Sequence, residues 1–172
     1  MGLRPGRAMR RIERPYTRVS KSVPRKSYVV GVPFPKMHQF EMGNRTGDFD
    51  TVLYIRAKRA VQIRDQSIEA ARIVTNKFLD TIVGPTNYFM KILVYPHQVI
   101  REKPIATGAG ADRFSQGMAR AFGKPVTTAI QTKEDERLVE LRIANKDLET
   151  GKIALRKFGL KIPTPIRIEI SQ

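Results

Sequence analysis

Residues 97–125 (HQVIREKPIATGAGADRFSQGMARAFGKP) separate two segments that both have the composition of a protein core. The segment before them, 88–95 (YFMKILVY), is almost wholly apolar, and the segment after them, 126–130 (VTTAI), is rich in β-branched residues. Each segment therefore predicts a strand. Connections in compact domains are usually about 4–6 residues long, and much longer ones tend to be functional or disordered. Any fold of this chain must accommodate a long internal loop at about 97–125, which is the first candidate for function.

The net charge indicates a polyanionic partner. The chain has 172 residues, enough for one domain, with 32 Lys and Arg against 16 Asp and Glu and a formal charge of +16. Such an excess is typical of proteins that bind nucleic acid and displace its counterions. Because there is no apolar run of about 20 residues and no secretory signal, we expect no membrane partner and a cytoplasmic location. The absence of Cys excludes disulfides, thiolate zinc sites and cysteine nucleophiles.

Residues 1–27 form a basic extension that precedes a single folded domain, residues 28–172. The extension has nine basic residues against Glu13 alone, and too few large apolar residues for a core. Arg predominates over Lys, and its planar guanidinium suits phosphate recognition, so we expect this segment to become ordered on RNA. The alternative is a solvated tail. The predicted rRNA-binding residues of the extension are Arg4, Arg7, Arg10, Arg11, Arg14, Arg18, Lys21, Arg25 and Lys26.

A second basic surface is predicted on residues 51–64 (TVLYIRAKRAVQIR). Apolar residues alternate at positions 53, 55 and 57 and again at 61 and 63, so the segment predicts a long strand or a pair of strands with a bend at 58–60. The outward side is basic, and Asp65 is its only acidic neighbour in the sequence, which favours RNA contact over a merely solvated face. The residues of this surface are Arg56, Lys58, Arg59 and Arg64.

Helices are predicted over residues 65–84 and 145–159. Asp65 or Ser67 is the expected N-cap of the first helix, and Asn145 is the expected N-cap of the second. The first helix has an apolar stripe at helical spacing that should face the core. Its members are Ile68, Ala71, Thr75, Phe78, Leu79 and Ile82.

The remaining segments predict strands. Residues 27–35 suggest a short opening strand ended by prolines, and 126–131 with 136–143 suggest a hairpin across the polar KEDE turn. The closing segment, 162–170, predicts a strand with Ile166, Ile168 and Ile170 inward. Because strands and helices do not alternate regularly, the fold class is α+β, a sandwich of mainly antiparallel strands with two helices.

The internal loop has the composition of an RNA-reading element. Gly108, Gly110 and Gly117 permit the backbone to approach a phosphate or a sugar closely. Phe114 and Phe122 either stack on bases or attach the loop to the core, and for Phe122 we expect a buried ring. The alternative is a mobile loop with no ligand. Charge is supplied by Arg101, Lys103, Arg113, Arg120 and Lys124.

No segment has the pattern of an active site. Residues 117–124 (GMARAFGK) differ from a phosphate-binding loop in spacing, and Pro125 replaces the Ser or Thr that would hold magnesium. Residues 108–113 (GAGADR) have Arg113 where a dinucleotide-binding motif has its third glycine. His38 has no second ligand at metal spacing. We therefore expect no enzyme activity, no metal and no cofactor.

Five separated motifs resemble one family over essentially the whole chain. GLRPGRAMRR, PKMHQFEMGN, YPHQVIREKP, GADRFSQGMARAFGKP and ALRKFGLKIP stand in the order found in the large-subunit ribosomal protein L10e family of archaea. That family is the counterpart of bacterial L16 and eukaryotic L10. The chain ends soon after its last predicted strand, without the C-terminal extension of eukaryotic members, so an archaeal member is expected.

The resemblance implies an α/β-hammerhead fold and a structural role in the large ribosomal subunit. It implies rRNA binding near the A-site tRNA, the 5S rRNA region and the peptidyl-transferase centre, beside neighbouring ribosomal proteins, with roles in tRNA positioning and subunit maturation. Bacterial members differ most in the internal loop. The residues implied to lie near tRNA are Arg101, Lys103, Thr107, Gly108, Gly110, Arg113, Phe114, Arg120 and Lys124. The alternative function is a free-standing RNA-binding translational regulator or RNA chaperone.

Overall fold

A computed structural model of the chain describes Met9, Ile12, Ser22, Val23, residues 29–106 and residues 108–171. The nine basic residues predicted in the extension lie outside the described residues, and so does Thr107. Within the described ranges, no helix is long and apolar enough to span a membrane.

The described residues form eight strands, and every pairing between them is antiparallel. Five strands form one sheet in the order β1-β4-β7-β2-β8, and three form a second sheet in the order β3-β6-β5. In chain order the strands are β1 (Glu41–Gly43), β2 (Thr51–Ala57), β3 (Val61–Arg64), β4 (Tyr88–Ile92), β5 (Gln98–Glu102), β6 (Lys124–Thr132), β7 (Arg137–Ile143) and β8 (Ile166–Ser171).

Two long helices, α1 (Asp65–Ile82) and α3 (Leu148–Gly159), pack against each other. A short helix, α2 (Ala111–Phe114), lies between β5 and β6, and a 3-10 turn (Asn145–Asp147) precedes α3. Buried apolar residues of both long helices share one cluster with the inward residues of the five-stranded sheet. The fold is therefore α+β, as predicted.

Gly151 explains how closely α3 approaches the sheet. A Cβ atom at this position would lie 2.9 Å from the Leu53 side chain and 3.0 Å from that of Ile143. The glycine lowers helix propensity, but it permits the helix backbone to lie directly on β2 and β7.

Two strand predictions are wrong. Of the strand predicted at 27–35, residues 27 and 28 lie outside the described residues, and residues 29–35 form no strand. Val30 and Phe34 point apolar side chains into solvent, and Pro33 and Pro35 cannot donate hydrogen bonds to a neighbouring strand. The predicted hairpin is also absent, because β6 and β7 belong to different sheets. The KEDE turn leads from one sheet to the other, and backbone hydrogen bonds from it reach Ala57 rather than β6.

The predicted caps are wrong as well. Arg64, in extended conformation, is the N-cap of α1, and Asp65 is the first helical residue. Asn145 accepts a hydrogen bond from the Thr51 hydroxyl instead of capping α3. The core-facing stripe of α1 is confirmed at Ile68, Ala71, Thr75 and Leu79, whereas Phe78 is half-buried and Ile82 is exposed. Ile170, predicted inward, lies near the end of β8 and is exposed.

The bend predicted at 58–60 is confirmed, and it is larger than a bulge. Strand β2 ends at Ala57 in the five-stranded sheet, and β3 begins at Val61 in the three-stranded sheet. Strand β5 and the start of β6 lie inside residues 97–125, the range predicted as a loop. The residues between these two strands are 103–123.

Candidate nucleic-acid interface

The loop 103–123 leaves the domain from a rigid two-stranded base. Strands β5 and β6 are paired as far as Glu102 opposite Lys124. At the end of the loop, a Cβ atom on Gly123 would lie 2.7 Å from the backbone carbon of Glu102, so only glycine permits this approach. The loop therefore starts and ends at a tightly defined point.

A buried carboxylate connects this base to the rest of the domain. Asp65 Oδ1 accepts hydrogen bonds from the Thr127 hydroxyl at 2.9 Å and the Gln66 N–H at 2.7 Å. Its Oδ2 accepts from the Thr128 hydroxyl at 2.8 Å and the Lys36 N–H at 3.0 Å. These four hydrogen bonds, together with the position of Asp65 in the first turn of α1, offset the cost of burying the carboxylate.

We call Asp65 with these four donors the Asp65 junction. The partners on β6 lie 62 and 63 residues away in the sequence, so no local pattern reveals the junction. It joins the start of α1, strand β6 and the segment before β1. It therefore holds the strand that carries the loop.

Two of the cations that the family resemblance places near tRNA hold the loop together. The Arg101 guanidinium lies 3.8 Å from the centroid of the Phe122 ring, a cation–π contact. The Lys103 ammonium donates to the backbone carbonyl oxygens of Ala119 and Arg120, the latter at 3.2 Å. These two side chains therefore have a structural task within the loop.

The other loop residues of the predicted site are at the surface. Arg113, Arg120 and Lys124 are exposed, and so is Phe114, at 85%. Phe122, for which we expected a buried ring, is 53% exposed, because one face lies against Arg101 and not against the core. The loop thus presents cations and aromatic rings together.

The glycines of the loop adopt the backbone conformations that favour glycine. Gly108, Gly110 and Gly117 all have positive φ, and a Cβ atom at any of them would meet nothing within 4 Å. Their conformation, and not crowding, explains the choice of glycine. Arg120 also has a positive φ, of 54°. The backbone here is open to a ligand.

The surface predicted on residues 51–64 is divided by the structure. Arg56 lies on the five-stranded sheet and Arg64 on the three-stranded sheet, while Lys58 and Arg59 are exposed at the bend. Arg56 is paired, because its Nε lies 2.6 Å from Glu169 Oε2. This hydrogen bond holds the pKa of Glu169 below its ordinary value and raises the pKa of Arg56.

Acidic residues close in the sequence therefore did not indicate which of these cations is neutralised. Glu169 is 113 residues away and neutralises Arg56, whereas the adjacent Asp65 is buried in its junction. Lys58 and Arg59 are the members that best fit an RNA contact, because both are exposed. Among the described residues, no cluster of His, Asp and Glu has the arrangement of a metal site.

An α+β fold with a glycine-rich basic loop and exposed aromatic rings is typical of RNA-associated proteins. Residues 13–169 match the family described as "Ribosomal protein L16p/L10e". The chain is 42% identical to the large ribosomal subunit protein uL16 of Archaeoglobus fulgidus over 172 residues, which cover 100% of this chain and 95% of that protein. It is 44% identical to the uL16 of Staphylothermus marinus over 169 residues, 98% of this chain and 93% of the relative.

The uL16 of Methanocella arvoryzae is also 42% identical, over 173 residues that cover 100% of this chain and 96% of the relative. The chain belongs to the L16p/L10e family of ribosomal proteins. Its role is that of a structural constituent of the large ribosomal subunit and not that of an enzyme. The predicted resemblance to the L10e family is confirmed, with archaeal relatives.

Proposed function

We propose that this protein binds large-subunit rRNA close to the A-site tRNA and the peptidyl-transferase centre, where it supports tRNA positioning and subunit maturation. The observation that carries the proposal is the loop 103–123, which combines exposed cations with an open glycine backbone on a rigid base. A loop built in this way can follow an RNA backbone and also contact bases.

The proposal assigns different tasks to different regions. The basic extension and the bend at Lys58 and Arg59 hold the domain on rRNA through phosphate contacts, which depend on charge more than on shape. The loop, whose base is held by the Asp65 junction, reaches toward tRNA. The 5S rRNA region and neighbouring ribosomal proteins are the remaining partners in this proposal.

Sedimentation of a cell lysate through a sucrose gradient, at low and then at high salt, tests the binding. We expect the protein to migrate with the large subunit at both salt concentrations. Binding that rests only on counterion release falls steeply with salt, so release into the light fractions would contradict the proposal. That result would instead favour a free RNA-binding regulator.

Deletion of residues 105–111 tests the role of the loop. We expect large subunits that contain the shortened protein to sediment normally but to translate slowly, because the extension is retained and the tip of the loop is lost. A matched control replaces the same seven residues by an equal length of Gly and Ser, which separates loop length from loop chemistry. Normal translation by the deletion variant would contradict a role in tRNA positioning.

A further inference from the structure

The loop 103–123 folds back on its own base to form a groove. Phe114 and Phe122 line it, together with three basic residues (Lys103, Arg120 and Lys124) and one acidic residue, Glu102. Its volume is about 320 Å³, at the small end of the range for ligand sites. A groove of this size has room for one nucleotide rather than for a folded structure.

The groove is held in shape by contacts within the loop. Arg101 covers one face of the Phe122 ring at 3.8 Å. Lys103 fixes the turn that carries Arg120, and the absence of a side chain at Gly123 brings the end of the loop onto Glu102. Such preorganisation lowers the entropic cost of binding.

The groove has the chemistry of a nucleotide site. Phe114 leaves most of its ring in water, which is unfavourable unless a flat apolar group covers it. Arg120 and Lys124 are exposed cations in the same groove, suited to a phosphate. A free phosphate would not use the aromatic ring, and an apolar peptide would not use the cations. A nucleotide uses both.

We propose that this groove binds one unpaired nucleotide of RNA, whose base stacks on Phe114 and whose phosphate lies beside Arg120 and Lys124. A base inside a duplex is already stacked and paired, so only a free end or a bulged nucleotide can enter. The inference rests on the proposed RNA-binding function and adds the chemical form of the RNA that the loop recognises.

A tryptophan placed in the groove reports on stacking directly. The chain contains five Tyr and no Trp, so Phe114→Trp provides a single tryptophan that is excited selectively at the long-wavelength edge of its absorption band. The full chain is titrated with three RNA hairpins whose strands are joined by a non-nucleotide linker in place of a loop: one with a single-stranded 3′ overhang, one with a bulged nucleotide and one fully paired. We expect quenching by the overhang or by the bulge, which distinguishes an RNA end from an internal site. Absence of quenching by both, or equal quenching by the paired hairpin, would overturn the inference.

A second measurement separates this inference from the proposed function. Affinity for the best hairpin is measured for the original chain, Phe114→Ala and the matched control Phe34→Ala, since Phe34 is 91% exposed and lies outside the groove. We expect Phe114→Ala to weaken binding about tenfold, the order of one lost base–aromatic stack, and Phe34→Ala to leave it unchanged. Equal affinity of the three proteins would overturn the groove and leave rRNA binding intact. Failure of the original chain to bind any hairpin would also overturn the groove, whereas sedimentation with the large subunit decides the proposed function separately.

Discussion

The sheet-and-helix scaffold and the loop 103–123 use the same residue types in opposite ways. Phe158 in α3 is completely buried, whereas Phe114 in the loop is almost completely exposed. Arg72 on α1 is paired with Glu69 at 2.6 Å, whereas Arg113 and Arg120 are exposed. Asp65 in the scaffold is buried with four donors. These scaffold groups are buried or paired within the fold, whereas these loop groups are exposed and available to a partner.

This difference separates residues that stabilise the fold from residues that are available for the proposed binding. Side chains of the scaffold contribute to the free energy of folding because they leave water when the chain folds. Exposed side chains of the loop remain in water when the chain folds, so they are available to contribute to the proposed RNA binding. Substitutions in the two regions should therefore have separable effects.

Removal of a methionine side chain should have the largest effect and should depend on the region. Met90 lies in β4 and is completely buried, so Met90→Ala should lower the free energy of unfolding by about 2–5 kcal/mol. Met118 lies in the loop and is 69% exposed, so Met118→Ala should change it by less than about 0.5 kcal/mol. Urea denaturation measures both values, and a similar loss for the two variants would mean that the loop contributes to the core.

Loss of the negative charge at the Asp65 junction should have the next largest effect. Asp65→Asn keeps the shape but turns an NH2 group toward groups that also donate, so we expect a loss of about 2–3 kcal/mol in the free energy of unfolding. The matched control is Asp112→Asn in the exposed part of the loop, which should be nearly neutral. Thermal denaturation compares the two, and an unchanged melting temperature for Asp65→Asn would show that the junction is dispensable.

A smaller, pH-dependent effect is expected at Tyr88. Burial, followed by its hydrogen bond to Asp80, raises the pKa of Tyr88. As the pH rises past the ordinary value of 10.0, the phenol of the unfolded chain ionises before that of the folded chain, so the free energy of unfolding falls. Tyr88→Phe should lower the free energy of unfolding by about 1 kcal/mol at neutral pH. Above pH 10, the free energy of unfolding of this variant should fall less steeply than that of the original chain. Urea denaturation of both proteins at several pH values measures these free energies. An equally steep fall for the two proteins above pH 10 would contradict the prediction.

Much of the scaffold was predictable because its signals are local. The helical spacing of Ile68, Ala71 and Thr75 and the alternation along β2 both depend on neighbours within a few residues. The prediction of a hairpin across KEDE failed because pairing partners are chosen by the whole sheet. A polar turn between two strands indicates a change of direction and does not specify which strand comes next.

The candidate site was predictable in composition and not in arrangement. The sequence alone identified the basic loop, its glycines and Phe114, because charge, small size and aromatic character are properties of single residues. It did not reveal that Arg101 and Lys103 stabilise the loop, that Glu169 pairs with Arg56, or that Phe122 is accessible. Each of these depends on a partner distant in the chain or on the path of the backbone.

By itself, the sequence determined the α+β class, the basic character and the family of this protein, since periodicity, net charge and motif order survive without coordinates. Only the tertiary structure decided which polar groups are hydrogen-bonded or ion-paired within the protein and which are left exposed to a partner. The physical reason is that hydrogen bonds and ion pairs act over a few ångströms. Residues such as Asp65 and Thr127 come within that distance only when the chain has folded.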